Sequence, residues 1–184
     1  VLRNGWMLLD DPSYVTQNPY VTSGLTLRGL SWFLHAPHGG NWHPLTSLSH
    51  MLDVQLFGLA PAGHHAVNLA LHVIATWLAY GLLSRLGIAR LVALGTVCLW
   101  SLFGGNAYVV AWISAVNDPI ALILLLAATW VWVTAPGGAT PSPLRALLAA
   151  ALWFLSMLSK EVSLAWPVAM AAVCSRAQRD ARTG

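Results

Sequence analysis

The stretch Ala66-Val67-Asn68-Leu69-Ala70-Leu71-His72-Val73-Ile74-Ala75-Thr76-Trp77-Leu78-Ala79-Tyr80-Gly81-Leu82-Leu83-Ser84-Arg85-Leu86 decides the class of this chain. It is apolar almost throughout, and its one charge, Arg85, comes at its end. A helix of about 20 such residues crosses a hydrocarbon core of about 30 Å. The rest of the composition agrees: 57% of residues are hydrophobic, 8% are charged, and the mean hydropathy is +0.65. A soluble domain carries roughly a quarter charged residues. Ten Trp residues suit membrane–water boundaries. The net charge of +3 does not point to nucleic acid, because the arginines form no aromatic-interleaved patch.

Outward from that span, further elements can be placed. A second apolar segment runs from Leu91 to about Phe103, and Gly104-Gly105-Asn106 interrupts it. Residues from Ala107 to Val116 either continue it or form a loop. Asn117-Asp118-Pro119 opens a third span to Val133, with Asp118 as cap ahead of a first-turn proline. Ala135 to Pro143 reads as a loop. Leu144 to Leu158 and Leu164 to Cys174 are each short for a crossing. A hairpin of two short helices around Ser159-Lys160-Glu161 is preferred to one long helix, which would hold two charges at mid-membrane. Cys98 and Cys174 lie in apolar runs and are not expected to pair.

Residues 1–62 are the polar part. Leu25 to Leu34 suits a short helix lying on the bilayer. Pro44 to Phe57 is a better helix, with proline in its first turn, Leu45, Leu48, Leu52 and Leu56 at helical spacing, and Gly58 ending it. The expected organisation is therefore an external loop over 1–62, about five transmembrane helices over 63–174, and a cytoplasmic basic tail over 175–184. The termini read as those of a fragment lacking an upstream membrane helix and further downstream ones.

Charge placement orients this arrangement. Arg85, Arg90, Arg145, Arg176, Arg179 and Arg182 fall on one side, and Arg3, Arg28 and Lys160 on the other. Basic loops mark the cytoplasm. Asp10, Asp11, Asp53, Asp118 and Glu161 then share the outer face, with Asp180 inside. Neighbouring carboxylates such as Asp10 and Asp11 repel unless a proton, cation or substrate lies between them. A carboxylate there could deprotonate an acceptor hydroxyl, and Lys160 could neutralise a leaving phosphate. A capped or solvated turn before Pro12 is the alternative.

All seven histidines lie between residues 35 and 72. His65, Asn68 and His72 share one helix face, and Asn68 and His72 suit side-chain bonds between helices. No familiar metal-ligand spacing is present, so no metal site is expected, although a divalent cation remains conceivable.

Asp10-Asp11-Pro12-Ser13-Tyr14-Val15-Thr16-Gln17-Asn18-Pro19 resembles the first external loop of the protein O-mannosyltransferase clan, most closely its transmembrane, tetratricopeptide-repeat-bearing branch. Trp42-His43-Pro44-Leu45-Thr46 resembles W-x-P-L-T, and Leu56-Phe57-Gly58-Leu59 resembles L-F-G-L. Gly63 to His72 resembles G-[YH]-H-x-x-N-L-x-L-H. Ala111-Trp112-Ile113-Ser114, with Asp118 four beyond, resembles A-W-I-S-x-x-x-D, and Ser159-Lys160-Glu161 resembles S-K-E. The resemblance implies an all-α polytopic fold of the type C glycosyltransferases, with amphipathic helices in an external loop. It implies transfer of a mannose-like sugar from a polyprenyl phosphate to an acceptor hydroxyl, on protein or glycan, outside the cytoplasm. Asp10 would be the base with Asp11 beside it, and Lys160 would bind donor phosphate. Glu161, Asp118, His65, Asn68, His72, Trp42 and His43 would support them. The expected setting is a multi-pass protein among lipids of a bacterial inner membrane, or of the endoplasmic reticulum in a eukaryote.

The chain departs from that pattern at Phe103 to Val110, where the branch carries His-Pro-Leu-His-Val-Glu, and at Ala115-Val116-Asn117, where it carries basic residues. A non-catalytic membrane module and a transporter with a Lys160–Glu161 relay are the competing readings.

Overall fold

The computed structural model describes residues 1–35, 41–133 and 141–171. His38, most of the 135–143 loop, Cys174 and the basic tail lie outside the described residues. Those described are helical, with no β-strand among them.

The chain first makes one wide π turn, Pro12–Thr16. Helix α1 (Pro19–Thr22) follows, with the Asn18 side chain accepting from Tyr20 N at 3.1 Å and Pro19 in its first turn. Helix α2 (Leu27–His35) packs back through Trp32, which stacks on Tyr20 at 4.9 Å. Helix α3 (Pro44–Phe57) has the bounds its leucine spacing predicts. It ends at Gly58, whose φ of +59° favours glycine. A Cβ on Gly63 would lie 2.3 Å from Phe57, so the chain doubles back tightly there.

Helix α4 (Pro61–Arg85) starts before the expected Ala66, because Pro61 opens it directly after the Gly58 turn. That extra turn carries His64 and His65 onto the helix. Helix α5 (Arg90–Leu102) and helix α6 (Gly104–Ala111) are bent by 56° at Phe103, so residues 107–111 are helical. A 3₁₀ turn, Ile113–Val116, leads without a break into helix α7 (Asn117–Val133). Asp118 therefore lies inside the first helical turn and is not the cap expected of it.

Helix α8 (Pro143–Met157) packs along α7, and α4 packs against both α5 and α7. Gly81 of α4 meets Trp130 of α7 so closely that a Cβ would lie 2.9 Å from the indole. Small residues permit this approach where helices meet in lipid. The chain then breaks at Ser159–Lys160, turns through a 3₁₀ segment, Glu161–Ala165, and is helical again over 166–171.

Two described helices are long and apolar enough to cross a membrane: α4, with 25 residues, and the continuous stretch Ile113–Val133, with 21. The bent α5–α6 pair makes a third if it counts as one span. Helix α8 has 15 residues, fewer than a straight crossing needs. Apolar side chains on the spans stay outside: Trp77 is 68% exposed, Leu91 84% and Leu99 77%. Surface this apolar suits lipid. The interior has two parts. One joins Val15, Val21, Met51, Val54 and Ile113, and the other lies where Trp166 meets Ala128 and Ala149.

Candidate functional site

The acidic loop divides its carboxylates sharply. Asp11 is buried, and three donors hold it. One oxygen accepts from Met7 N at 2.7 Å, and the other from Ser114 N at 2.9 Å and Ser114 Oγ at 2.5 Å. A carboxylate bonded this way is fixed in place, since charge-assisted bonds are the strong ones. Asp10 is half-buried, and its carboxylate has no hydrogen bond or ion pair among the described residues. Its main-chain oxygen instead takes Tyr14 N and Ser13 Oγ, both at 2.9 Å, which closes the turn. One acid is anchored, and the other has no side-chain partner among the described residues.

The anchor point belongs to the 112–118 segment, which connects the remaining candidates. Asn68 donates from α4 to Trp112 O at 2.9 Å and Ile113 O at 3.4 Å, the helix-joining role its position predicts. Ser159 Oγ donates to Asn117 O at 3.1 Å, and Lys160 pairs with Asp118. Ser114 and Asp118 are four residues apart, about 6 Å along a helix. Asp11 and Lys160 thus reach the same short segment from opposite ends of the sequence.

The start of α3 docks on the same place. Leu45 N donates to Leu158 O at 3.1 Å, and Thr46 Oγ1 donates to Ser159 O at 3.1 Å. His43 Nε2 meets Glu161 at 2.6 Å. Glu161 is held below its ordinary value near 4.5, first by its own backbone bond and then by His43. The bonded partners are thus Lys160 with Asp118 and Glu161 with His43; the neighbouring Lys160 and Glu161 do not pair with each other. Trp42 is 49% exposed and makes no hydrogen bond among the described residues.

Two positions lie nearby but outside this seam. His65 is buried at the α4 start, 3.4 Å from Gly5 O, where it ties down the N-terminal strand of chain. His72 stacks on Trp100 at 5.4 Å. It lines a groove of about 560 Å³ together with Trp100, Asn106, Asp118, Val162 and Ser163. A second groove of about 500 Å³ shares His72 and is otherwise mostly apolar, between Leu69, Trp77, Tyr80 and Val97.

Sequence reasoning missed the hydroxyls of Thr46, Ser114 and Ser159, which make the seam continuous. Their only signal was membership of the quoted motifs. It also missed a grouping that no familiar ligand spacing announces. His50, Asp53 and His64 are all buried, and one ligand atom of each lies within 4.8 Å of the others. Burial pushes the Asp53 carboxyl up to about 7.

No family model matches the chain, and no solved structure matches it. Over 115 residues, 59% of this chain, it is 30% identical to the protein O-mannosyl-transferase Tmtc1 of Drosophila melanogaster. The matched stretch is 13% of that relative's length. The chain therefore corresponds to a small part of the relative, and the similarity is distant.

Proposed function

We propose that this chain is the part of a membrane glycosyltransferase that carries its acid loop and donor-phosphate cation. The observation that carries the reading is the seam itself. The Asp10-Asp11 loop, Trp42 to Thr46, Ala111 to Ser114 and Ser159 to Glu161 are far apart in sequence, yet joined by hydrogen bonds and ion pairs around residues 112–118. The similarity to Tmtc1 supports the same class.

In this reading the donor is a sugar on a polyprenyl phosphate, and the acceptor is a hydroxyl of a protein or glycan at the non-cytoplasmic face. The acceptor oxygen attacks the anomeric carbon as the bond to phosphate breaks. Asp10 takes the hydroxyl proton, because its carboxylate is free, whereas Asp11 spends its lone pairs holding the loop to Ser114. Lys160 stabilises the departing phosphate, with Asp118 steering its ammonium. The His72 groove accommodates donor beside Asp118. Residues 1–62 lie outside, and Gly87–Ala89 and residues 135–143 inside. The type C polytopic architecture, with lipid around the spans, follows from the same reading.

Asp10→Asn keeps the side-chain shape and cannot accept the proton. It is expected to lower single-turnover transfer by about 10²–10⁴-fold with donor affinity largely kept. Lys160→Met is expected to weaken donor binding. Full turnover in Asp10→Asn removes the mechanism. One observation favours a non-catalytic module: α6 occupies the place of the branch's His- and Glu-bearing motif and carries neither residue. A wild-type protein that binds polyprenyl-phosphate sugar without transferring it decides for that reading. External labelling of a Ser142→Cys variant overturns the orientation.

A further inference from the structure

The corner where α3 turns into α4 is built for a cation, and its geometry is independent of any transfer chemistry. His50 and Asp53 are three residues apart, so they lie on one face of α3. The tight Gly58 turn then places His64, on the first turn of α4, opposite them. His50 and His64 are 0% exposed and Asp53 3%.

The second observation is the state of His64. Its Nε2 faces Gly58 O at 3.0 Å, and a carbonyl can only accept, so Nε2 carries the proton. Nδ1 then holds a lone pair. It is buried without a hydrogen bond and points at Asp53 Oδ2, 3.8 Å away. Metal-bound imidazoles show this arrangement: one nitrogen donates to a backbone carbonyl while the other ligates. An ionised Asp53 buried against an unprotonated nitrogen is costly to keep without a cation.

We propose that His50, Asp53 and His64 form a binding site for one divalent transition-metal ion of the zinc class. Two imidazoles and a carboxylate are a donor set that such ions accept, with a position left for water. Hard ions such as Mg²⁺ and Ca²⁺ want mostly oxygen, and here one side chain supplies it. Tetrahedral zinc with bonds of about 2.0–2.1 Å puts ligands about 3.3 Å apart. The ligand atoms here spread to 4.8 Å, so binding draws α3 and α4 together. The site sits under the N-terminal segment, with Trp6 edge-on to His64 at 4.9 Å and Tyr14 beside His50 at 6.5 Å. The ion therefore pins the surface on which the acid loop rests.

The test uses the full chain in detergent, loaded with Zn²⁺, desalted, and assayed for bound metal and for affinity against a chelator. About one zinc per chain is expected, with Co²⁺ giving the visible absorption of a tetrahedral site. Asp53→Asn and His64→Gln are expected to weaken affinity by at least about 100-fold, since changes one shell further out already cost about 10–100-fold. His35→Gln, an exposed histidine at the end of α2, should keep the wild-type value. Asp53→Asn preserves shape if His64→Gln fails to fold. Wild type that retains no more zinc than Asp53→Asn overturns the proposal, as does displacement of zinc by equimolar Mg²⁺. A chain without transferase activity still returns the metal result, so the two readings fail separately.

Discussion

The seam around residues 112–118 and the α3–α4 corner both bury polar side chains, but of different kinds: mainly hydroxyls in the seam, titratable groups at the corner. In the seam each buried hydroxyl has somewhere to go. Ser156 Oγ donates to Ala121 O at 2.7 Å and meets Ser163 Oγ, Ser159 donates to Asn117 O, and Thr46 donates to Ser159 O. At the corner an imidazole nitrogen goes without a hydrogen bond and a carboxylate is pushed up to about 7. A satisfied network rigidifies, while an unsatisfied group is a standing cost that folding alone would remove. The seam has unpartnered atoms too, His43 Nδ1, Trp112 Nε1 and Asn117 Oδ1, so what sets the corner apart is that its unpartnered imidazole nitrogen faces a buried carboxyl group.

The sharpest way to break this contrast is at Asp11, the seam's most connected acid. Asp11→Ala orphans Ser114 N–H and Met7 N–H together, and is expected to cost roughly 3–5 kcal/mol. Thermal unfolding in detergent measures it. A loss below about 1 kcal/mol means the loop is held some other way, and Asp11 loses its anchoring role.

Asp53 tests the other side. Its native carboxyl value, about 7, lies above the ordinary 3.8, so the protonated form is favoured by folding. In the metal-free chain the corner's stability is complete below about pH 4 and declines as pH rises towards 7. The total is on the order of 2–4 kcal/mol. Asp53→Asn has no such slope, and at pH 8 it is expected to be the more stable protein. A bound cation reverses the sign, because it favours the ionised form. Unfolding curves from pH 4 to 8, with and without chelator, read both.

How much of this could be read beforehand differs between the regions for a physical reason. The bounds of α3 follow from proline, glycine and apolar spacing, the break near Ser159–Lys160 from the cost of two charges at mid-membrane, and the role of Asn68 from a polar side chain in an apolar helix. The reach of α4 back to Pro61 was missed because the apolar pattern starts later than the backbone helix. Asp118 was read as a cap because nothing local says that a 3₁₀ turn feeds α7 from behind. The partner exchange, Lys160 with Asp118 and Glu161 with His43, needs the tertiary fold. So does the meeting of His64 with residues on another helix.

Ser156 offers a smaller lever within the seam. Ser156→Ala removes one bond to Ala121 O and one accepted from the buried Ser163 Oγ. Ala121 O retains its helical bond, so the expected cost is about 1–2 kcal/mol, independent of pH between 4 and 8. A slope with pH in this variant would mean the seam is coupled to a titrating group, and the separation drawn between seam and corner would fail.

The smallest effect is expected at the seam's exposed edge, where His43 meets Glu161. Glu161 is 68% exposed at its side chain, and pairs this open contribute below about 0.5 kcal/mol. Its carboxyl is held below the ordinary 4.5, so whatever stability it adds is present above that value and disappears as pH falls through the lowered one. Glu161→Gln should therefore differ slightly from wild type above pH 5 and converge with it in stronger acid. Thr46→Val, one turn along α3, removes a buried bond to the same segment and should cost about 1 kcal/mol at every pH. If Glu161→Gln proves the more damaging of the two, the docking of α3 on residues 158–161 is electrostatic, and the hydroxyl seam is not what holds the acid loop's platform in place.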